Sequence, residues 1–241
     1  MSFIAPLFDG PLDIVGDIHG ERAALASLLA VLGYDADARH PRGRRLVFIG
    51  DLCDRGPDSP GVIATVARYV SEGRAQCLLG NHELNVLRAA PKSGNGWFFA
   101  TDHDRAKGKY RDSAPAHPDQ RARFQAFFAT LPVALERSDL RLVHAAWQPA
   151  AIAELRAPPP RESLVGFYDR HARVADAQWR ADPLAPRAID EWRTWGQRLD
   201  EAESRVPLLE GIGRSDAFFQ MSNPLRVVTS GVEELAAEPF F

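Results

Sequence analysis

The stretch Leu12-Asp13-Ile14-Val15-Gly16-Asp17-Ile18-His19-Gly20 places metal-seeking side chains directly after a short apolar run. The run predicts a buried strand, and the apolar spacing over residues 21–32 predicts a helix that ends at Gly33. The same strand-then-helix pattern occurs twice more: strands are predicted at 46–49 and 77–79, and a helix follows each of them in the sequence. Three strand–turn–helix units in a row predict an α/β fold with a parallel-rich sheet.

Three further motifs follow apolar runs in the same way. They are Gly50-Asp51-Leu52-Cys53-Asp54-Arg55-Gly56, Gly80-Asn81-His82-Glu83 and Val143-His144-Ala145-Ala146. Ligands bind open α/β sheets beyond the carboxyl ends of the strands. We therefore expect the polar side chains of all four motifs to meet at one edge of the sheet.

The residue types in these motifs predict a site for two divalent metal ions. Asp17 and His19 stand two residues apart, so both can grip one ion, and Asp51 can bridge two ions through its two oxygens. Asn81 and His144 can supply an oxygen and a nitrogen to the second ion. Mixed oxygen and nitrogen ligands favour manganese, with iron, zinc or nickel as further options, over magnesium or calcium.

The remaining motif residues predict phosphoryl chemistry. Two metal ions about 3.5–4 Å apart can clamp a phosphoryl oxygen and activate a bridging hydroxide for in-line attack. Arg55 is predicted to hold the substrate phosphate through its planar fork, next to Asn81 and His82. His82 is predicted not to bind metal but to act as general acid, with Asp54 orienting it and raising its pKa.

Each of these residues also has a simpler interpretation. Asp17 and Asn81 could cap the helices that follow them. Asp51 and Asp54 could be ordinary turn acids, and Arg55 and the three histidines could be packed or solvated side chains. Short motifs match by chance often. Four of them in this order, all at strand ends, favour the metal site.

Length and composition limit the class of protein. A chain of 241 residues with 45% apolar residues suits one domain, predicted to span 1–241. The net charge of −3 argues against a general nucleic-acid-binding surface. Two cysteines predict no disulfide framework, and the sequence shows no apolar run of membrane length and no signal-peptide pattern. These features predict a cytoplasmic protein that is not bound to a membrane.

Three regions outside the motifs also carry predictions. Residues 91–130 are predicted to form a surface insertion and a helix, and residues 150–215 a helical cap within the same domain. Segments 133–136 and 140–143 predict a β-hairpin. The apolar stretch Leu225-Arg226-Val227-Val228-Thr229 predicts a late strand.

The first three motifs, Asp17-Ile18-His19, Gly50-Asp51-Leu52-Cys53-Asp54-Arg55-Gly56 and Gly80-Asn81-His82-Glu83, resemble those of the calcineurin-like metallophosphoesterase superfamily, and more narrowly its phosphoprotein-phosphatase branch. That branch includes symmetrical diadenosine tetraphosphatases and the phosphatase module of bacterial polynucleotide kinase-phosphatases. The resemblance covers residues 12 to about 147. It implies a four-layer α/β fold, in which a β-sandwich of two mixed sheets is flanked by helices. It also implies the same roles for the residues named above.

The chain departs from the family pattern in two places. Ala145-Ala146 follows His144 where the family usually has Ala-Gly or Gly-Gly. The family also has a further histidine ligand on a late strand, whereas here the one histidine after His144 is His171, within a predicted helix. We hypothesise that the last ligand is lost because the chain ends early, or that His171 replaces it. Loss would leave the second ion weakly held.

The predicted function is that of a metal-dependent phosphoesterase. Its expected substrates are phosphate esters or nucleoside polyphosphates such as diadenosine tetraphosphate, with nucleic-acid ends as a further option. A Ser/Thr or Tyr protein phosphatase acting on phosphoproteins is an alternative, because the motif residues are predicted to contact the phosphate and not the rest of the substrate. A degenerate, catalytically weak binding protein is a second alternative, which the four intact motifs disfavour.

Overall fold

Six short strands form two three-stranded sheets in the computed structural model, which describes residues 2–92, 94–99, 113–199 and 205–233. The strands are β1 (Ile4–Pro6), β2 (Leu12–Val15), β3 (Arg45–Phe48), β4 (Ala75–Cys77), β5 (Ala134–Glu136) and β6 (Arg141–Val143). Strands β2, β3 and β4 pair in parallel, so their carboxyl ends share one edge. In the other sheet β1 and β5 are parallel, while β5 and β6 form the predicted antiparallel hairpin.

The two sheets pack face to face through alternate side chains of their strands. Val47 of β3 and Leu135 of β5 belong to one apolar cluster that lies between the sheets. The neighbours of Val47, Leu46 and Phe48, belong to the larger cluster that the helices cover. All four side chains are fully buried, and each such burial stabilises the fold by about 1.5–3 kcal/mol. The expected α/β fold of two sheets flanked by helices is therefore confirmed, but the expectation that both sheets are mixed is wrong: β2, β3 and β4 pair only in parallel in the described residues.

Ten α-helices surround the sheets in the described part of the chain. They are α1 (Arg22–Leu32), α2 (Ser59–Ser71), α3 (Asn81–Leu87), α4 (Gly96–Phe99), α5 (Pro118–Phe128), α6 (Pro149–Arg156), α7 (Leu164–Arg180), α8 (Ala185–Trp195), α9 (Glu210–Met221) and α10 (Pro224–Ser230).

The helix boundaries near the motifs follow local signals. Gly33 ends α1 in the left-handed conformation, at φ 89°. Asp58 begins α2 by accepting a hydrogen bond from the Gly61 N–H at 2.8 Å.

The predicted late strand is wrong, because residues 224–230 form α10. Asn223 begins this helix by accepting from the Leu225 N–H at 3.1 Å, and Pro224 occupies the first turn, where its missing N–H costs nothing. Four of its apolar or β-branched residues are buried, namely Leu225, Val227, Val228 and Thr229. A short apolar run of this kind fits a strand and a helix equally well from sequence.

The predicted insertion at 91–130 contributes to the core as well as to the surface. Trp97 and Phe98 of α4 are 4% exposed, and α5 follows as the predicted helix. Residue 93 and residues 100–112 of this segment, like the C-terminal Phe240-Phe241, lie outside the described residues.

Helices α6 to α9 cover the helical part of the region 150–215 that was predicted to form the cap, with α9 extending to Met221, while the domain limits themselves remain predictions. Within the described ranges, no helix combines the length and the apolar character that crossing a membrane requires.

Candidate active site

The four motifs converge on one carboxylate oxygen. Asp51 follows β3 and is 3% exposed. Its Oδ2 lies 3.7 Å from Nε2 of His19, 3.8 Å from Nε2 of His82 and 3.5 Å from Nε2 of His144. These residues come from the loop after β2, the first turn of α3 and the loop after β6 respectively. Asp17 joins them, with its Oδ2 3.7 Å from Nε2 of His19.

The backbone at the site adopts conformations that side chains normally avoid. His19, Asp51, Asp54 and Arg55 have φ angles of 45°, 52°, 69° and 64°, in the left-handed region. Such residues cost free energy and persist where the surrounding structure holds them. The loop after β3 uses this conformation to turn both Asp51 and Asp54 back toward the same site.

The Glu83 side chain links the loop after β3, which carries Asp51, to the start of α3. Its side chain is fully buried and accepts hydrogen bonds from the backbone N–H groups of Asp51 and Leu52, both at 2.8 Å, and of Gly80 at 3.1 Å. The loops approach so closely that a Cβ on Gly80 would lie 2.2 Å from Oδ1 of Asp51. Glycine is therefore required at 80, and Glu83 holds the Asp51 backbone in place.

Two histidines present a defined nitrogen to the site. Nδ1 of His19 lies 2.8 Å from the Cys53 carbonyl oxygen, and Nδ1 of His144 lies 2.7 Å from the Ile49 carbonyl oxygen. A carbonyl can only accept, so Nδ1 carries the proton in each ring, and the lone pair of a neutral ring is on Nε2. This is the arrangement that metal-binding histidines use.

Charge pairing at the site shifts two pKa values. Burial alone would raise the pKa of the Asp51 carboxyl, but the hydrogen bond and charge of His144, together with the charge and backbone N–H of His82, outweigh burial and lower it. Burial alone would lower the pKa of His144, whereas its pairing with Asp51 raises that pKa to about 9. A proton on Nε2 of His144 and a cation bound to that nitrogen would occupy the same position beside Oδ2 of Asp51, so they compete.

The side chains fit divalent cations. Two groups of three potential ligands, each with ligand atoms within 4.8 Å of one another, share Asp51: one adds His19 and His82, the other Asp17 and His144. Nε2 of His19 is buried and has no hydrogen-bond partner in the described structure. A buried nitrogen of this kind is costly unless it binds something. Carboxylate oxygens and imidazole nitrogens around it suit a transition-metal ion.

His82 belongs to a hydrogen-bonded chain that continues through Asp54 to Trp97. Its Nδ1 lies 2.6 Å from Oδ2 of Asp54, and the other oxygen of Asp54 accepts a hydrogen bond from Nε1 of Trp97 at 2.5 Å. Asp54 is 1% exposed. Burial alone would lower the pKa of His82, but Asp54 and Asp51 outweigh it and raise that pKa. This chain favours a protonated, oriented imidazole over a metal ligand.

Arg55 lies beside His82 at the open side of the site. Its Nη2 is 3.4 Å from Nε2 of His82, and the residue is exposed. A guanidinium held next to an imidazole can hold an oxyanion between them.

The structure brings every predicted site residue to one place, with the exception of the alternative His171. They are Asp17, His19, Asp51, Asp54, Arg55, Asn81, His82 and His144. His171 lies on α7, where its Nε2 is 3.4 Å from Oε2 of Glu154 and its ring packs on Phe167. It belongs to neither group of potential metal ligands among the described residues.

Sequence reasoning missed the roles of Trp97 and Glu83. A glutamate three residues after the N-cap position Gly80, where its carboxylate accepts from the N-cap N–H as in one half of a capping box, was a signal for Glu83. Trp97 is 43 residues from Asp54, and no local pattern marked it.

Comparison with known proteins gives the family. A family model described as calcineurin-like phosphoesterase matches residues 10–192. The asymmetrical bis(5'-nucleosyl)-tetraphosphatase PrpE of Oceanobacillus iheyensis is 45% identical over 80 residues, which are 32% of each protein. PrpE of Bacillus velezensis is 32% identical over 139 residues, or 55% of each. The symmetrical enzyme of Ralstonia nicotianae is 38% identical over 80 residues, 33% of this chain and 25% of that protein.

These matches cover from 25% to 55% of the length of the three relatives. Among solved structures, a cold-active protein-tyrosine phosphatase from a psychrophilic Shewanella species aligns over 76% of this chain and 56% of its own, with 18% identity and a TM-score of 0.42. A serine/threonine phosphatase from Saccharomyces cerevisiae aligns over 66% and 48%, with 19% identity and a TM-score of 0.40. The match over residues 10–192 covers most of the chain and all four motifs, so the chain belongs to the calcineurin-like phosphoesterase family.

Proposed function

We propose that this protein is a metal-dependent phosphoesterase that hydrolyses nucleoside polyphosphates of the diadenosine tetraphosphate type. One observation supports this above all: three imidazole Nε2 atoms lie 3.5–3.8 Å from a single buried oxygen of Asp51. A degenerate binding protein has no need to keep a buried carboxylate in strained backbone between three histidines. The names of the tetraphosphatase relatives support the choice of substrate.

We assign the roles of the residues from the motif pattern, and the convergence of these residues on Asp51 supports the assignment. Asp17 and His19 would hold one divalent cation, Asn81 and His144 a second, and Asp51 both; manganese suits this donor set. When bound, the two cations lower the pKa of a water and offset charge on the phosphoryl group. Arg55 binds a phosphate oxygen, together with Asn81 and His82.

His82 is the proposed general acid. It gives the proton on Nε2 to the leaving oxygen, while Asp54 holds Nδ1 and stabilises the imidazolium. Trp97 in turn holds Asp54, as a positioning residue that does not touch the substrate.

A reducing cytoplasmic location is part of the proposal. Cys53 and Cys77 are both free thiols and buried, and burial raises the pKa of each well above the usual range. Neutral buried thiols of this kind fit a compartment where disulfides are not formed.

The proposal is tested by hydrolysis assays with and without Mn²⁺. Diadenosine tetraphosphate, p-nitrophenyl phosphate, a 3'-phosphorylated oligonucleotide and a phosphopeptide would be compared by kcat/KM. We expect Mn²⁺-dependent turnover that is highest for diadenosine tetraphosphate. Higher turnover of the oligonucleotide or the phosphopeptide would contradict the proposed substrate and make that compound the better candidate. No turnover of any of the four substrates by the folded protein with Mn²⁺ would contradict the proposed phosphoesterase activity.

Trp97→Phe is expected to lower kcat by about tenfold with little change in KM. The substitution keeps a large apolar ring but removes the N–H that Asp54 accepts, and a hydrogen bond to a buried carboxylate is worth about this much. The loss should be greater for phenyl phosphate than for p-nitrophenyl phosphate, because the poorer leaving group depends more on the acid. Steady-state kinetics on both substrates measures the difference.

Phe98→Leu is the matched control for Trp97→Phe. Phe98 is equally buried and its ring lies 5.4 Å from that of Trp97, but it donates no hydrogen bond. If both variants lost kcat equally, at equal melting temperature, Trp97 would be a packing residue only.

A further inference from the structure

The carboxyl end of α10 lies against Asn81. The carbonyl oxygen of Val227 accepts from the Gly231 N–H at 3.0 Å, and that of Val228 accepts from the Ala145 N–H at 2.9 Å. The next carbonyl oxygen, that of Thr229, lies 3.1 Å from one atom of the Asn81 side-chain amide.

The same amide atom of Asn81 lies 3.3 Å from Oδ2 of Asp51. It therefore faces two oxygens, one from a carboxylate and one from the main chain. If the atom is the amide nitrogen, it donates hydrogen bonds to both. If it is the amide oxygen, three oxygens face one another, and only a cation makes that arrangement favourable.

The proposed metal site decides between the two orientations. Asn81 can bind a cation beside Oδ2 of Asp51 only through its oxygen, because the amide nitrogen is a donor. In that orientation the amide oxygen also faces the Thr229 carbonyl. Neighbouring ligands of an octahedral cation with bonds of about 2.1–2.2 Å lie roughly 3.0 Å apart. The distances of 3.1 Å and 3.3 Å are close to that spacing.

We propose that the main-chain carbonyl oxygen of Thr229 is a ligand of the second cation, beside Asp51, Asn81 and His144. The inference rests on the proposed two-cation site and extends it. It gives that cation a fourth protein ligand where the described structure brings no further histidine to the site. Three oxygens and one nitrogen suit manganese.

The fold holds this carbonyl in position before any cation binds. Thr229 is fully buried, and its Oγ1 donates to the Leu225 carbonyl oxygen at 2.7 Å. The bond from the Ala145 N–H to Val228 joins α10 to the loop that carries His144. A ligand fixed on a helix end in this way loses little entropy when the cation binds.

The test reads the Thr229 carbonyl directly by NMR. Residues 229–230 are the single Thr-Ser pair of the sequence, so protein labelled with [1-¹³C]threonine and [¹⁵N]serine gives one correlation for this peptide bond. The wild-type protein would be titrated with Cd²⁺, which is diamagnetic and accepts six ligands. We expect a downfield shift of the Thr229 carbonyl carbon, in step with shifts of the His19 and His144 rings. In His144→Ala we expect that carbonyl shift to be reduced or lost while His19 still responds.

The sign of the shift separates the outcomes. If both histidine rings respond but the Thr229 carbonyl does not move, or moves upfield through loss of a hydrogen bond from Asn81, this inference is overturned and the metal site stands. If neither ring nor carbonyl responds, the proposed two-cation function fails as well.

Discussion

Asp51→Asn should lower the Mn²⁺-dependent kcat/KM for diadenosine tetraphosphate by at least about a thousandfold. An amide offers one oxygen where the carboxylate offers two, so it cannot serve both cations. The loss should exceed the 10–100-fold that is usual for groups that only orient a metal ligand. The substitution hardly changes side-chain volume, and the backbone bonds to Glu83 can persist, so the protein should fold.

Kinetics and calorimetry together measure this effect. Asp190→Asn is a matched control, because the Asp190 side chain is 76% exposed on α8, away from the site. We expect the control to match wild type and Asp51→Asn to bind Mn²⁺ more weakly, with at most one ion held. Near-normal turnover by Asp51→Asn would remove Asp51 from the centre of the mechanism.

His82→Ala should lower kcat for phenyl phosphate by about 10²–10⁴-fold, the range of a lost general acid. The loss should be much smaller for p-nitrophenyl phosphate, because its leaving oxygen is far less basic and needs no proton. Metal binding should change little, since His82 is engaged by Asp54 rather than by a cation in this proposal. Steady-state kinetics on the two esters, at saturating Mn²⁺, gives the ratio.

His117→Ala is the control for His82→Ala. His117 is exposed at the start of α5 and outside the site, so its loss should leave both substrates unaffected. Equal losses on both esters in His82→Ala, combined with weaker Mn²⁺ binding, would instead identify His82 as a metal ligand.

The sequence was sufficient to predict the order of the strands and that the motif residues following them come together, although β3 ends one residue and β4 two residues before the predicted ends. Strand β2 begins and ends where predicted, at Leu12 and Val15. Pro11 and Gly16, which both disfavour strand interiors, bound this run and mark its two ends. Parallel pairing then brings the residues after β2, β3 and β4 to one edge. The convergence of Asp17 and Asp51 follows from that geometry alone.

Features that depend on tertiary packing could not be predicted. The 224–230 segment has the composition of a strand, but most of its residues are buried, Asn223 caps it, and it forms α10. A strand prediction for this segment gave no sign of the Thr229 carbonyl, which the end of α10 places beside Asn81. Trp97 was hidden for a related reason: its partner Asp54 is distant in sequence, and the segment around it is rich in charge and glycine.

The most direct test of the two-cation site is electron paramagnetic resonance of the protein loaded with two equivalents of Mn²⁺. Two ions bridged by Asp51 should give an exchange-coupled dinuclear signal, and Asp51→Asn should not. A spectrum of isolated, uncoupled Mn²⁺ in the wild-type protein, at full occupancy, would contradict the shared site on which the proposed phosphoesterase depends.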